Sequence, residues 1–432
     1  MKTKIETVLH TPMVHFRRTL IAAILATTGV GMAVAQNNTN SPYTRYGYGQ
    51  LAEIGSANSR AMGGTAYALR DPLHVNSANP ASYSAVDSLT FIFDGGISLQ
   101  NTNFSNGTQK VNAKNSSFDY ITMQFRAAPW AGISLGLLPY ANVGYNISEY
   151  YADADTQEAS SSLSYTGDGG LHQVYLGAGF KVFKGLSLGA NMSFFWGSVT
   201  RTRTLSFPYD ATKFATIINN EVNVKTWKLD IGAQYTLNLG KKNALTVGAV
   251  YSPGHEMSHS AYEYRQTGTD ANASYSQQEI PGHYDLPSSW GVGLAYVYDQ
   301  RLTLAADFMS QDWQDAAYEG SKDVFCRRTR FSFGAEMIPN PMGRNYLSRI
   351  KYRVGAFVSK PYYKIEGVRA ADEYGVTAGF GLPVPRTRSM LSISGQYVRT
   401  QGARANFLDE NILRICVGIT FNERWFFKRK VD

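Results

Sequence analysis

The feature that most constrains the fold of this chain is an alternation of apolar and polar residues with a period of two. In residues 227–237, one face would carry Trp, Leu, Ile, Ala and Tyr, while the other would carry Lys, Asp, Gly, Gln and Thr. Such alternation indicates a β-strand with one apolar and one polar face. The pattern recurs in residues 186–194, 302–308, 330–337, 391–397 and 413–421. The chain is therefore predicted to be all-β.

Composition decides between a soluble and a membrane-embedded β-protein. The 432 residues include 28 Tyr, 22 Phe and 40 Gly, and only 17% are charged. Transmembrane barrels need aromatic girdles at both membrane interfaces and carry polar groups on one strand face only. The predicted strands reach about 10 residues or more, which matches a tilted crossing of a bilayer. The sequence therefore predicts a transmembrane antiparallel β-barrel of the outer membrane rather than a soluble sandwich.

The alternating segments give a count of about fourteen strands, with twelve or sixteen as alternatives. The predicted strands are residues 88–101, 114–127, 131–149, 170–182, 186–207, 222–239, 244–264, 283–299, 302–312, 323–337, 349–362, 372–383, 388–402 and 409–422. Short turns are expected on the periplasmic side and long loops outside. The predicted long loops are residues 102–113, 150–169, 208–221, 265–282 and 313–322.

The N-terminus carries the features of a secretory signal peptide. Arg17 and Arg18 precede an apolar run over residues 20–34, and residues 33–35 read Ala-Val-Ala, a small-x-small cleavage site. The run is about 15 residues long, which is short for a membrane-spanning helix, so an uncleaved anchor is the weaker alternative. We predict three regions: a signal peptide over residues 1–35, an N-terminal hatch over 36–86 and the barrel over 87–432.

Several functional classes lack support in the sequence. The formal net charge of +8 comes from dispersed basic residues, so no nucleic-acid-binding surface is predicted. No nucleophile elbow, phosphate-binding loop or metal-spaced histidine cluster is present, and we predict neither an enzyme nor a cofactor. Cys326 and Cys416 are the two cysteines. A single disulfide between them is the alternative to two free thiols.

Charged residues on the polar face of the strands are expected to line the lumen. A barrel interior filled with both signs of charge would form ion pairs across the wall or with a plug. These residues are Lys228, Asp230, Asp307, Arg330, Glu336, Lys351, Arg353 and Arg414. Pro139 lies in the middle of the third predicted strand, where its missing N–H predicts a kink or bulge.

Residues 60–83, just before the first strand, are rich in Gly, Pro and Asn and are predicted to be neither helix nor strand. The motif Arg60-Ala-Met-Gly-Gly, followed by Asn79-Pro80-Ala81, resembles the hatch of the long-chain fatty acid transporter (FadL) family. That family has an N-terminal plug followed by fourteen strands. The lead-in over residues 43–49, the glycines of 167–170 and the end over 425–430 look similar to versions from Bacteroidetes-type bacteria.

The resemblance implies uptake of hydrophobic, fatty-acid-like molecules, with lateral release into the lipid of the outer membrane. It assigns Gly63, Gly64 and the Asn79-Pro80-Ala81 turn to a plug or gate. It also assigns Pro139 and Gly144 to an inward kink that opens a lateral gap in the third strand. No stretch matches the outer capture groove of the family. The alternative function is a non-transporting accessory barrel, a structural subunit that binds protein partners of an outer-membrane assembly or secretion complex.

Overall fold

The computed structural model describes residues 39–152, 159–208, 210, 212–268, 273–402 and 407–424. The predicted signal peptide and the end over residues 425–430 lie outside the described residues. Among the residues that the structure describes, no helix has the length and apolar character needed to cross a membrane.

Strands dominate the structure, and its helices are short. The helical elements are α1 (Ala57–Ala61) and 3₁₀ turns at Pro42–Arg45, Pro80–Ala85, Trp313–Asp315 and Leu347–Arg349. The strands are β1 (Gln50–Leu51), β2 (Thr90–Ser105), β3 (Lys110–Ala128), β4 (Ala131–Ala152), β5 (Ala159–Phe183), β6 (Leu186–Ser206), β7 (Thr216–Asn238), β8 (Asn243–Ser252), β9 (His255–Glu256), β10 (Ser258–Thr267), β11 (Ser274–Glu279), β12 (Asp285–Leu286), β13 (Ser289–Tyr298), β14 (Leu302–Gln311), β15 (Arg328–Met337), β16 (Lys351–Lys360), β17 (Lys364–Ile365), β18 (Val368–Arg369), β19 (Glu373–Pro383), β20 (Met390–Thr400) and β21 (Asp409–Arg424).

The long strands form a closed antiparallel barrel of fourteen strands, which confirms the predicted fold. Each strand pairs with its neighbours along the chain, and β2 pairs with β21 to close the sheet. Two barrel strands are interrupted: β8 and β10 both pair with β7, and β13 and β11 continue beside them. The first interruption contains Pro253, which has no N–H to donate to a ladder.

Four of the five predicted long loops are shorter in the structure because the strands extend farther at that end, whereas the loop predicted at residues 313–322 is longer, since β14 ends at Gln311 and β15 begins at Arg328. The connection predicted at residues 102–113 is a turn over residues 106–109, between β2 and β3. The loop predicted at residues 150–169 is also wrong, since β4 continues to Ala152 and β5 begins at Ala159. These extensions are rich in Ser, Thr and Asn. Alternation of hydrophobicity is lost where both faces of a strand are polar, although the backbone pairing persists.

The apolar face of the strands points outward and the polar face points inward. Leu176, Met192 and Phe194 are more than half exposed on the outer face, whereas Asn191 and Gln396 on the inner face are almost fully buried. This arrangement is the inverse of a soluble barrel and fits a wall surrounded by lipid. By the usual rule for such barrels, the end with short turns is periplasmic and the end with extended strands is extracellular.

Residues 39–89, which we call the N-terminal segment, pack against the inner face of the wall. Residues 60–83, predicted to be neither helix nor strand, include the end of α1 and the start of the 3₁₀ turn Pro80–Ala85. Where the segment comes closest, the wall carries glycine. A Cβ added to any of these glycines would meet main-chain atoms of the segment: Gly132, Gly179, Gly189, Gly248, Gly334 and Gly355. The wall and segment are therefore packed backbone against backbone.

This packing predicts that Gly189→Ala destabilises the protein. The added methyl group would overlap the carbonyl of Pro80 and the amide of Ala81. Overpacking of this kind costs about 1–3 kcal/mol. A matched control is Gly395→Ala, because nothing lies within 4 Å of a Cβ at that position. We expect the unfolding midpoint in urea to fall for Gly189→Ala only. Equal midpoints for the two variants would show that the segment does not press on the wall.

Candidate functional site

In the part of the wall that the structure describes, the neighbouring strands β3 and β4 separate along part of their length. β3 pairs with β4 only from Ile121↔Leu137 to Ala128↔Ala131, at the periplasmic end. Above that point, β3 continues to pair with β2 up to Lys110, and β4 continues to pair with β5 up to Ala152. The extracellular halves of β3 and β4 therefore have no ladder between them. We call this place the β3–β4 gap.

A register shift lies on each side of the β3–β4 gap. On β4 the pairing with β5 shifts between Pro139 and Ala141, so that Tyr140 is an extra residue. Pro139 cannot donate a ladder hydrogen bond, which accounts for a bulge at this position. On β3 the pairing with β2 shifts so that Asp119 is the extra residue. The two bulges lie close to the point where the β3–β4 ladder ends.

The N-terminal segment occupies the free edge of β4. β1 pairs with β4 in antiparallel fashion, with Gln50 opposite Asn142 and Leu51 opposite Ala141. The amide of Ala52 donates to the carbonyl of Tyr140 at 2.8 Å. An unpaired strand edge at membrane depth is costly, because no water is present to satisfy its N–H and C=O groups. β1 thus supplies a partner for β4 at residues 140–142, where β3 supplies none.

The contact between the N-terminal segment and β4 extends upward to Gly144. The hydroxyl of Thr44 donates to the carbonyl of Gly144 at 3.1 Å and accepts from its amide at 3.2 Å. On the other side of the β3–β4 gap, Arg60 forms a buried ion pair with Asp119 at 2.7 Å. The hydroxyl of Tyr120 accepts from the amide of Ala57 at 3.0 Å. The segment therefore bridges both edges of the gap.

Glu53 is the charged centre of the N-terminal segment. Its carboxylate lies 3.4 Å from Arg330 and 4.0 Å from Arg414, and it accepts a hydrogen bond from Gln396 at 3.1 Å. Burial alone would raise the pKa of this carboxyl. The surrounding positive charges of Arg330, Arg414 and Arg60 outweigh burial and lower the pKa of Glu53 to about 2. Two of the predicted lumen residues, Arg330 and Arg414, are thus brought together by a residue that the sequence did not single out.

A second set of predicted lumen residues holds the periplasmic part of the segment. Lys351 lies 3.1 Å from Asp71 of the segment and 3.5 Å from Glu336. Arg353 pairs with Glu336 at 2.7 Å. Asp307 accepts hydrogen bonds from two consecutive amides of the segment, at residues 66 and 67.

Lys228 and Asp230 form an ion pair with each other on β7. No described contact joins either residue to the β3–β4 gap.

The predicted plug residues contact the wall. The amide of Gly63 donates to the hydroxyl of Thr377 at 2.9 Å, and the positive φ angles of Gly63 and Gly64 (+71° and +88°) suit glycine. The side-chain amide of Asn79 donates to the carbonyls of Tyr67 at 2.7 Å and Ala233 at 3.2 Å.

The Asn79-Pro80-Ala81 turn caps the 3₁₀ turn that follows it. The side-chain oxygen of Asn79 accepts from the amide of Ala81, and Pro80 occupies the first helical position. The side chains of Asn79 and Ala81 are fully buried. This turn is therefore a capped and buried part of the segment.

An apolar cluster covers the extracellular side of the lumen. Its large members, which we call the aromatic cluster, are Tyr48, Tyr140, Phe195, Tyr284, Trp313, Tyr318, Phe325 and Tyr362. Tyr48 belongs to the N-terminal segment and Tyr140 is the bulge residue of β4, so the cluster reaches the β3–β4 gap. Leu51 of β1 also packs against it. An apolar surface thus continues from the extracellular side to the gap.

A polar cavity lies beside the upper part of the segment and borders both β3 and β4, since Thr44, Asp119 and Asn142 line it. Its volume is about 100 Å³, and its lining includes Glu53, Arg60, Asp119, Arg330, Glu373 and Arg414. In the described part of the chain, His, Cys, Asp and Glu side chains form no group suited to a metal ion. Cys326 and Cys416 are free thiols, so the alternative of a single disulfide is wrong.

The sequence analysis did not predict two features of this site: the position of Asp119 and the pairing of β1 with β4. For Asp119, the sequence does contain a signal. If β3 were a regular strand, Asp119 would lie on the same lipid-facing side as Ile121 and Met123, where a carboxylate is costly. That conflict indicates a bulge. The pairing of β1 carried no signal, because a two-residue strand shows no periodicity.

The arrangement around Glu53 predicts that Glu53→Gln loosens the N-terminal segment. Removing one partner of a buried ion pair leaves the arginines unpaired, at a cost of about 3 kcal/mol. We expect a lower unfolding midpoint in urea and faster proteolysis of residues 39–60. Asp87→Asn is the control, because the Asp87–Arg388 pair at 3.2 Å is exposed.

The effect should depend on pH. A carboxyl whose folded pKa is depressed contributes stability that is fully present above its ordinary value of 4.5 and is lost as the pH falls through about 2. The difference between wild type and Glu53→Gln should therefore shrink over this range. A difference that stays constant down to pH 2 would contradict the ion-pair interpretation.

Comparisons of the structure and the sequence with known proteins identify the fold and the family. The structure resembles the toluene transporter TodX of P. putida (TM-score 0.59, 14% identity, 87% of this chain and 100% of that chain). It also resembles a FadL homologue of Pseudomonas aeruginosa (TM-score 0.59, 11% identity, 87% and 100%) and the toluene transporter TbuX of Ralstonia pickettii (TM-score 0.56, 12% identity, 87% and 99%). These similarities confirm the predicted FadL-type fold. Among curated proteins, none matches the sequence.

At the level of sequence, the profile of the BamG family matches residues 15–432, which include every residue that the structure describes. This barrel, with its N-terminal segment against the inner wall and its β3–β4 gap, therefore belongs to the BamG family.

Proposed function

We propose that this protein is an outer-membrane channel for hydrophobic small molecules, which leave through the β3–β4 gap into the bilayer. The observation that carries the proposal is the absence of a β3–β4 ladder above Ile121 and Leu137. A separation of two wall strands is the feature a lateral exit requires. An apolar solute gains more from entering lipid than from crossing a polar lumen. The FadL-type fold of toluene transporters supports this assignment.

The aromatic cluster supports an apolar ligand. It begins on the extracellular side with Trp313 and Tyr318 and ends at Tyr140, beside the β3–β4 gap. A molecule without hydrogen-bonding groups would bind there by displacing aromatic contacts, since such sites are mostly apolar with few polar groups. The polar cavity around Glu53 suits it poorly. The proposed route therefore follows the cluster to the gap and does not pass the charged lower lumen.

In this proposal, the N-terminal segment is both plug and gate. Its lower part, fixed by Asp307, Lys351 and the wall glycines, blocks the lumen. Its upper part, from Thr44 to Ala52, closes the β3–β4 gap through a few hydrogen bonds to β4. Only the upper part has to move for a ligand to leave. Pro139 and Gly144 flank the contact, Pro139 by keeping β4 bent and Gly144 by bonding Thr44.

The second candidate is a non-transporting accessory barrel that serves as a structural subunit with protein partners in the outer membrane. The observation that favours it is that the N-terminal segment closes the β3–β4 gap. β1 pairs with β4, and the Arg60–Asp119 and Glu53–Arg330 ion pairs hold the segment to the wall. A barrel sealed in this way needs no movement to act as a scaffold. The two candidates differ in whether β1 leaves β4.

A reversible lock on β1 separates the candidates. Leu51→Cys with Ala141→Cys places two thiols at directly paired positions of β1 and β4. Cys326→Ser would serve as the background. We expect the oxidised protein to take up radiolabelled long-chain fatty acid or toluene no faster than a sample without the protein, and dithiothreitol to restore uptake. The control pair is Ala295→Cys with Ala305→Cys, which joins β13 and β14, two strands already paired in the wall.

Uptake at the wild-type rate by the oxidised Leu51→Cys, Ala141→Cys variant would contradict gating by β1. If the wild type takes up ligand no faster than a sample without the protein, and other outer-membrane proteins co-purify with it, transport would be contradicted and the accessory barrel favoured.

A further inference from the structure

The outer surface of the wall has a concavity that transport does not use. It measures about 360 Å³, and its lining includes Gly169, Gly170, Gly197, His172, Trp196 and Lys225. The residues that alternate with these side chains, such as Leu171, Phe195 and Val224, belong to the buried inner cluster. His172, Trp196 and Lys225 therefore face outward. We call this concavity the outer notch; it lies on β5, β6 and β7.

Glycines create the outer notch by letting three strands approach closely. A Cβ at Gly170 would overlap the carbonyl of Ala141 on β4. A Cβ at Gly197 of β6 would overlap the carbonyl of Gly170, and one at Gly169 would overlap the carbonyl of Ser198. Gly169 also has a φ of +111°, which disfavours other residues. At this point main-chain atoms of neighbouring strands occupy the space that side chains would otherwise fill.

The outer notch lies at the extracellular edge of the apolar belt. On β7 the exposed outward residues run from Tyr235 and Ile231 to Trp227, and Lys225 is the next outward residue. Leu239, beside the periplasmic turn, begins this stripe. At about 3.3 Å per residue and a tilt of about 40°, the stripe from Leu239 to Trp227 spans about 30 Å. Lys225 therefore lies at headgroup level in the outer leaflet, just beyond a tryptophan of the aromatic girdle.

Lys225 is available for a ligand. It is opposite Trp196 on β6 and Ser258 on β10, and neither is acidic. Lys225 forms no ion pair in the part of the chain that the structure describes. The carboxylate of Glu221, on the same strand face, accepts a hydrogen bond from Asn223 at 2.8 Å. An exposed ammonium at the edge of a lipid-facing concavity favours an anionic group.

We propose that the outer notch binds the phosphorylated glycolipid of the outer leaflet, lipid A. Its phosphate would lie on Lys225, with His172, Ser198 and Asn223 as further polar contacts. Below the notch, the outward side chains of Val174 and Phe194 are 42% and 57% exposed and form an apolar surface for an acyl chain. The proposal rests on the outer-membrane location but not on transport, because the notch holds lipid whether or not the β3–β4 gap opens.

Native mass spectrometry of the purified full-length protein tests this proposal. The probes are diphosphorylated lipid A, its dephosphorylated form and phosphatidylglycerol, each added at equal concentration. We expect preferential retention of diphosphorylated lipid A, and a fall of about five-fold in the bound fraction for Lys225→Gln, as for one lysine beside an anionic lipid. Trp196→Ala should reduce retention as well. The control is Lys184→Gln, an exposed lysine at the periplasmic turn.

Equal retention of the dephosphorylated form would overturn the role of the phosphate, and retention of phosphatidylglycerol at the level of lipid A would overturn the choice of ligand. An unchanged bound fraction in Lys225→Gln would overturn the site. Lys225 is exposed, so its substitution leaves the packing of the wall intact. Heat-dependent migration of the folded barrel on gels would show that each variant is folded. Absence of uptake by the wild type, with lipid A still retained, would contradict the proposed function alone.

Discussion

The structure depends on how the backbone N–H and C=O groups of β4 find hydrogen-bond partners above the point where the β3–β4 ladder ends. In a bilayer, each unpaired N–H or C=O group costs several kcal/mol, so a strand edge at membrane depth must find a partner. Here the partner is β1, which lies beside residues 141 and 142. Two bulges, at Tyr140 and Asp119, set the place where the seam opens. The N-terminal segment therefore pairs with a wall strand and also packs against the inner face of the wall.

The two ends of the N-terminal segment are held by different forces. The lower end is held by backbone packing against wall glycines and by the carboxylate of Asp307, which accepts two amides. The upper end is held by a two-residue strand and by hydrogen bonds from Thr44. The ion pairs of Glu53 lie between them. In the proposed function, this gradient would let one segment be a fixed plug below and a movable gate above.

Local sequence patterns predicted the barrel because one strand face must be apolar along the whole membrane crossing. They also predicted a break at Pro139, since proline lacks the ladder donor. They did not predict the strand ends beyond the membrane, where both faces are polar. The pairing of β1 and the Glu53–Arg330 contact depend on residues far apart in the chain, so no local pattern encodes them. The motif over residues 60–83 indicated the FadL-type fold, but it did not identify Glu53 as the partner of Arg330.

Hydrogen–deuterium exchange of β1 tests the central claim most directly. In the protein reconstituted in lipid nanodiscs, amides of residues 47–55 should be protected by their pairing with β4. Saturating long-chain fatty acid should make these amides exchange faster, while those of residues 60–83 remain protected. Exchange of residues 47–55 that stays equally slow with the fatty acid would contradict the account, because β1 would then be a permanent part of the wall.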